Sequence, residues 1–577
     1  MFLRPYYRVK DGKRHAYWAL VKSERTAAGS RQKIVAYLGD IDEAQRQAVT
    51  NAVIGAKPSS QLDLFESSPK QFAEIDVNSI TVENTRAFGG AWLATQIIRK
   101  IGLKSQLDQL MPVGREDVPW SMMSLVLVIA RLLDPSSELH IAEHVFEQSA
   151  LGDLLGVCAS KINDDRLYRA MDQLLPHKAE LEKYFKQRLG ELFNLSYDLL
   201  LYDVTSTYFE GQCKNNPDAQ RGYSRDNRGD CKQVCIAMVV SRCGMPIGYE
   251  LFAGNKADVT TVQEIVTTME ARYGQSDRIW VMDRGMVSAA NVEFLKEGNR
   301  RYIIGTPKSL LQKYQKQLAE SNWTKIRDGL EVKTVPDPDG GKETFILCRS
   351  ASRSEKEKSM HEKFENRIEE GLTSFAKMAE KQTMTAVQLS HRIGKLMGQN
   401  TRAAGAFKTE IIIDKDNNDR AKLKWEKIEA WRDWARLNEG CYILRSNVSD
   451  WKPDELWKAY TQLTECENAF RIHKSDLKMR PIWHQKQERV QAHILICFIA
   501  YVLWKTLGRM CAAAGLGDEP RRVIETLATI QSVDVVLTTK SGTQIRRRCI
   551  SKPTDHQQIL LHKLDLRLPR SLEMIEM

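Results

Sequence analysis

LSYDLLLYDVTSTYF, residues 195–209, is the stretch that decides the reading of this 577-residue chain. An apolar run, Leu199 to Tyr202, leads into Asp203. Such a run reads as a buried strand, and Asp is depleted in strands. Asp203 at the end of that run is therefore either a turn residue or a functional acid.

Outward from it lie QVCIAMVV (233–240), MPIGYELFAGN (245–255), DRIWVMDRG (277–285) and RYIIGTP (301–307), all strand-type, with a helical VTTVQEIVTTMEARYG (259–274) among them. Three strands, a helix and a further strand describe the front half of an α/β, ribonuclease-H-like core over 194–310. The second half is delayed. VPDPDGG (335–341) marks a turn, FILCRS (345–350) is a candidate strand and residues 352–382 form a highly charged helix. Then CYILRSN (441–447) reads as a strand and DELWKAYTQLTECENAFRIHKSDL (454–477) as a helix. The expectation is a catalytic core interrupted by an insertion at 311–439, resuming at 440–515 and followed by a C-terminal region, 516–577.

Ahead of the core, Tyr6 to Leu38 alternates polar and apolar residues around Gly12, Gly29 and Gly39, as a small antiparallel β region within 1–55 does. AKPSSQLDLFESSPKQ (56–71) has linker composition, and the linker is placed at 56–80. Helical spacing then dominates, in GGAWLATQIIRKIG (89–102) and RLYRAMDQLLPHKAELEKYFKQRLGELF (166–193), so 81–193 is a helical domain expected to bind DNA.

With 42% hydrophobic residues the chain has material for packed cores and is not a disordered polymer. Its net charge of +11 permits a phosphate-rich partner without requiring one. The apolar runs Trp120–Leu133 and Ile494–Trp504 are too short to span a bilayer and read as core helices, so no membrane is expected. MFLRPYYRVKDGKRHAYW lacks the apolar region of a secretory signal, and the 11 scattered cysteines suit reduced thiols. The expected location is the cytoplasm.

Two more acids join Asp203. Asp283 follows the apolar run IWVM as Asp203 follows LLLY. Carboxylates at neighbouring strand ends can hold a hard cation and leave positions open for water and phosphate, which is a magnesium site. Glu467 stands midway between Tyr460 and Lys474, seven residues from each, so a continuous helix would carry all three on one face, with Phe470 and Arg471 on or beside it.

At this point the sequence resembles the DDE-type bacterial insertion-sequence transposases of the IS-four superfamily, specifically their IS-sixteen-thirty-four branch. That superfamily has a signature Tyr-x2-Arg-x3-Glu-x6-Lys around its third acid, met here by Tyr460, Glu467 and Lys474, with Leu463 in the place of the Arg. The likeness extends to YDVTSTYFEG around Asp203, GYSRDNRGD (222–230), GNKAD (254–258), VMDRG around Asp283 and RPIWHQKQERVQAHILICFIAYVL (480–503).

The resemblance implies a metal-dependent transposase. Asp203, Asp283 and Glu467 are then catalytic residues and ligands of two Mg2+ ions, with Mn2+ able to substitute. The substrate is double-stranded DNA, the element's terminal inverted repeats and then the target, handled by a homodimer in a synaptic complex. Bound to DNA, the protein is nucleoid-associated. Tyr460 and Lys474 inherit contacts to the DNA end, while Leu463 cannot make a charged phosphate contact, which puts a hairpin intermediate in question and nominates Arg471 as a substitute. Arg221, Arg225, Arg228 and Lys232, after Asp203, are candidates for tracking phosphates. His484 and His493 flank a helical run and read as structural histidines rather than metal ligands. Two alternatives stand beside this reading: a catalytically silent DNA-binding regulator, and another metal-dependent phosphotransferase, though one using Asp203 as nucleophile usually wants Asp where Thr205 stands.

Overall fold

A computed structural model describes residues 2–10, 13–26, 29–39, 73–275, 277–381, 384–414, 420–569 and 571–572. The segment 56–72 of the expected linker lies outside them. The chain divides into two compact units, Met1–Ser276 with Thr464–Met577, and Asp277–Leu463.

In the first unit, the segment around Asp203 forms the strand Leu199–Tyr208, longer than its apolar run because Val204, Thr205 and Thr207 are β-branched and continue it. It pairs antiparallel with Gln233–Ser241, which pairs antiparallel with Pro246–Ala253. Every residue of Gln233–Ser241 is buried, as expected of a strand covered on both faces. Helix Val262–Tyr273 follows, held at its start by the Tyr202 and Thr261 hydroxyls, 2.5 Å apart.

Helices Gly89–Ile101, Trp120–Leu133, Asp164–Leu174 and Lys178–Phe193 precede that sheet. Helix Gln487–Ala513 packs against Trp120–Leu133, Asp164–Leu174 and Gly89–Ile101. The run Ile494–Trp504, expected to be short, is thus part of a helix of 27 residues. Among the described residues this is the one helix long and apolar enough to cross a membrane, and 89% of its most apolar window is buried inside the protein, as in a core helix. The Trp120–Leu133 helix is likewise buried along most of its length.

Two further sheets belong to this unit. The N-terminal strands Phe2–Lys10, Lys13–Thr26 and Gly29–Gly39 pair in order, antiparallel. Strand Thr81–Ala87, inside the segment expected to be helical, pairs with Gln531–Thr538, which pairs with Gln544–Ile550. All 11 cysteines are free thiols.

In the second unit, six strands lie side by side in the order Thr324–Arg327, Leu330–Pro336, Thr344–Ser350, Cys441–Ser446, Arg301–Gly305, Ile279–Met282. Only the last pair is parallel. Strands Thr344–Ser350 and Cys441–Ser446 lie side by side although helices Ala351–Lys381, Ala386–Gln399 and Glu429–Asn438 and a hairpin, Phe407–Asp414 with Arg420–Lys427, intervene. The intervening body has a core of its own around Ile368, Leu372, Leu389, Ile393 and Phe407. The strands at 324–350 extend the sheet, so the excursion from it runs from 351 to 440 rather than from 311.

Candidate active site

Asp203 is the fifth residue of its ten-residue strand, not the terminal one expected from the apolar run. It pairs in register with Met238 and is half-buried between fully buried neighbours. Its Oδ1 accepts the Val204 N–H at 2.8 Å. A ladder on the strand fixes the backbone on both sides of the carboxylate, which is a rigid mounting for a functional group.

The signature region runs through three consecutive elements rather than one helix. Helix Pro453–Thr461 ends in a tight turn, with N–H groups of Gln462 and Leu463 bonded three residues back to Ala459 and Tyr460, and a second helix, Thr464–Arg471, begins beyond it. A wider turn, Ile472–Asp476, follows. Tyr460 lies on the first of these elements, Glu467 on the second and Lys474 on the third. Leu463 is buried in the turn. An apolar side chain there packs inward, and the position has no phosphate-facing cation.

Helix Thr464–Arg471 packs against the Asp203 strand within the first unit. The Cys466 thiol is buried and reaches the carbonyl oxygen of Met238, the register partner of Asp203, at 3.7 Å. Burial, and then the negative charge of Asp203, push that thiol well above its usual range. It stays protonated. Glu467, the next residue, is exposed.

Lys474 lies in the same unit and is already engaged. Its Nζ is 2.9 Å from Oδ1 of Asp226, which Arg480 also binds, and the Asp226 side chain is only 3% exposed. Burial lowers the Lys474 pKa, with Asp226 opposing and Arg480 and Arg225 assisting the shift. Sequence reading did not single out Asp226, although it sits in GYSRDNRGD. Arg471, by contrast, is 65% exposed, and its guanidinium lies 3.7 Å from Asp476.

The loop after the Asp203 strand is tied to itself. Arg225 pairs with Asp258 and its N–H reaches the Ser206 hydroxyl at 3.3 Å. Arg228 pairs with Asp230 and lies over the Tyr208 ring, and Arg221 bonds the Asp230 carbonyl. Lys232 reaches the Cys213 carbonyl at 3.4 Å. Arg225, Arg228 and Lys232 are thus built into the loop as well as presented by it.

In the second unit, Asp283 directly follows the buried strand Ile279–Met282 and is exposed. It leads into a 3-10 turn, Arg284–Met286, because Arg-Gly cannot prolong an apolar strand. Tyr460 belongs to this unit and donates its hydroxyl to Asp283 Oδ1 at 3.0 Å. Burial, then the Asp283 charge, raise the Tyr460 pKa, so the phenol remains a donor. Gly305 lies beneath, and any side chain on it would collide with the Tyr460 hydroxyl.

Residues 194–503, over half the chain, match the transposase DDE domain family, and the chain belongs to that family. It is a DDE transposase-domain protein, and DDE transposases work with divalent metal ions. Residues 91–187 match the family described as Domain of unknown function (DUF4277). No curated protein matches the chain. Among solved structures it is similar to that of the piggyBac transposase synaptic complex with hairpin DNA, at 10% identity over 76% of this chain and 78% of that one, with a TM-score of 0.35.

Proposed function

We propose that the protein is a transposase of the IS-four superfamily, in its IS-sixteen-thirty-four branch, that binds the ends of a bacterial insertion sequence, cleaves them and joins them to target DNA through a ribonuclease-H-like core. Asp203, Asp283 and Glu467 are its catalytic carboxylates. The observation that carries this reading is the packing of the Glu467 helix on the Asp203 strand through Cys466, in a chain of the DDE family.

The donor set suits hard divalent ions, two Mg2+ with Mn2+ as a substitute. The three proposed ligands offer only carboxylate oxygen, the donor type that hard ions prefer. Such ions, when bound, lower the pKa of a water and stabilise the oxygens of an in-line displacement at phosphorus. The chain's own part is positioning. The sheet ladder holds Asp203, and the Tyr460 hydroxyl orients the Asp283 carboxylate.

Tyr460, Lys474, Arg471, Arg225 and Lys232 are the proposed DNA contacts. Arg471 is the most accessible cation of the signature region and takes the role that Leu463 cannot. Lys474 and Arg225 exchange Asp226 and Asp258 for phosphate when DNA arrives. A homodimer pairs the two element ends, and the work is done in the cytoplasm on the nucleoid.

The test is incubation of the purified protein with duplex DNA carrying the sequences that flank its gene, with and without Mg2+. Breaks at the element ends that leave 3′-OH groups and require the ion are expected. Specific binding without cleavage in either Mg2+ or Mn2+ favours the silent regulator instead.

A further inference from the structure

Three potential metal ligands from distant parts of the sequence meet in the first unit at a place the transposition chemistry does not use. Glu138 opens a helical turn, Glu138–His140, His484 lies in the segment after the signature, and His493 sits in the second turn of helix Gln487–Ala513. One ligand atom from each lies within 4.8 Å of the others, and among the described residues this is the one such group of three. Glu138 and His493 are 4% and 5% exposed. His484, at 11% side-chain exposure, closes the group toward the surface.

At His493 one ring nitrogen is satisfied and the other is not. Its Nε2 lies 3.2 Å from the Met479 carbonyl oxygen, to which it can donate, while its Nδ1 is buried with no hydrogen-bond partner. A neutral imidazole that donates from Nε2 carries its lone pair on Nδ1. Metal-bound histidines have this arrangement: one nitrogen ligates and the other donates to a carbonyl or carboxylate that fixes the ring.

One edge of the group has the length a metal site needs. Glu138 Oε1 is 3.5 Å from His484 Nε2. A tetrahedral site with bonds of about 2.0–2.1 Å has ligand–ligand edges of about 3.3 Å. The imidazole rings of His484 and His493 have centroids 5.2 Å apart, and the Tyr168 ring stands edge-on to His484 at 6.0 Å. The nearby Arg131 guanidinium opposes a cation. It directs its terminal nitrogens to the carbonyls of Lys478 and Ser136.

We propose that Glu138, His484 and His493 form a zinc site that ties the Glu138 turn to the segment following the signature. Two imidazoles and one carboxylate select zinc over the hard ions of the DDE carboxylates. The site fixes the segment Met479–His484, in which Arg480 binds Asp226, the partner of Lys474. Zinc therefore steadies the end of the signature without touching the reacting phosphate.

The experiment uses the full chain carrying Asp203→Ala, Asp283→Ala and Glu467→Ala, so that the proposed transposition carboxylates cannot contribute. After chelation and dialysis, Zn2+ bound per chain is measured by atomic emission, and Co2+ is added in parallel to read visible absorption from a tetrahedral site. One Zn2+ per chain and an intense Co2+ spectrum are expected. His493→Gln should weaken binding by on the order of a hundredfold or more, since it removes one of three protein ligands. His484→Gln, at the less buried position, should do the same while circular dichroism reports an intact fold. No bound Zn2+ at micromolar concentration overturns the proposal, as does stoichiometric binding that persists in folded His484→Gln.

Discussion

Asp203 stands in the middle of a ten-residue strand, half-buried and flanked by ladder pairs, whereas Asp283 stands in the open, one residue beyond a strand of four. The two acids are held by different means. For Asp203 the backbone does the holding, since register with Met238 leaves the residue no freedom to shift. For Asp283 the backbone turns away at once into Arg284–Met286, and a side chain, the Tyr460 phenol, fixes the carboxylate. In the proposed site, rigidity would come from a strand ladder at Asp203 and from a hydrogen bond at Asp283.

Proline breaks this comparison most forcefully. Thr205→Pro removes a backbone N–H inside a paired, buried strand and should cost several kcal/mol, enough to leave no cooperative unfolding transition. Arg284→Pro places the ring at the first position of a turn, after a residue already extended at ψ 165, and should change stability by less than about 1 kcal/mol. Thermal melts of the two variants decide it, and equal losses would mean that both acids are held by the strand.

A smaller effect sharpens the other half. Tyr460→Phe deletes only the hydroxyl that Asp283 accepts. Losing such an outer partner costs about ten- to a hundredfold in metal affinity or activity, so cleavage should need correspondingly more Mg2+ while the melt stays close to that of the unaltered protein. An unchanged Mg2+ requirement would remove Tyr460 from the account.

Much of this was legible in the sequence because strand runs such as LLLY, QVCIAMVV and IWVM carry their own signal. The continuation of the Asp203 strand was written in Val204, Thr205 and Thr207, but an apolar run draws the eye to its own end. The break at Gln462–Leu463 was hidden, since no Gly or Pro marks it and only the tight hydrogen bonds of the turn reveal it. Partners far away in the chain leave no local trace. Asp226 meets Lys474 across 248 residues, strand Thr81–Ala87 finds Gln531–Thr538 near the other terminus, and Glu138 comes to His484 and His493 only through the packing of helices. The family likeness supplied the order of the acids, and the structure supplied how each is mounted.

The central claim is that Asp203, Asp283 and Glu467 act as one catalytic set on DNA. It is tested most directly by replacing each with alanine in turn and measuring Mg2+-dependent cleavage of the element end beside binding of the same DNA. Each variant should bind the end nearly as well as the unaltered protein and cleave below about a hundredth of its rate, a loss of at least about 2.7 kcal/mol in transition-state stabilisation. Cleavage above that level by any one of the three would contradict the assignment of that acid, and with it the set.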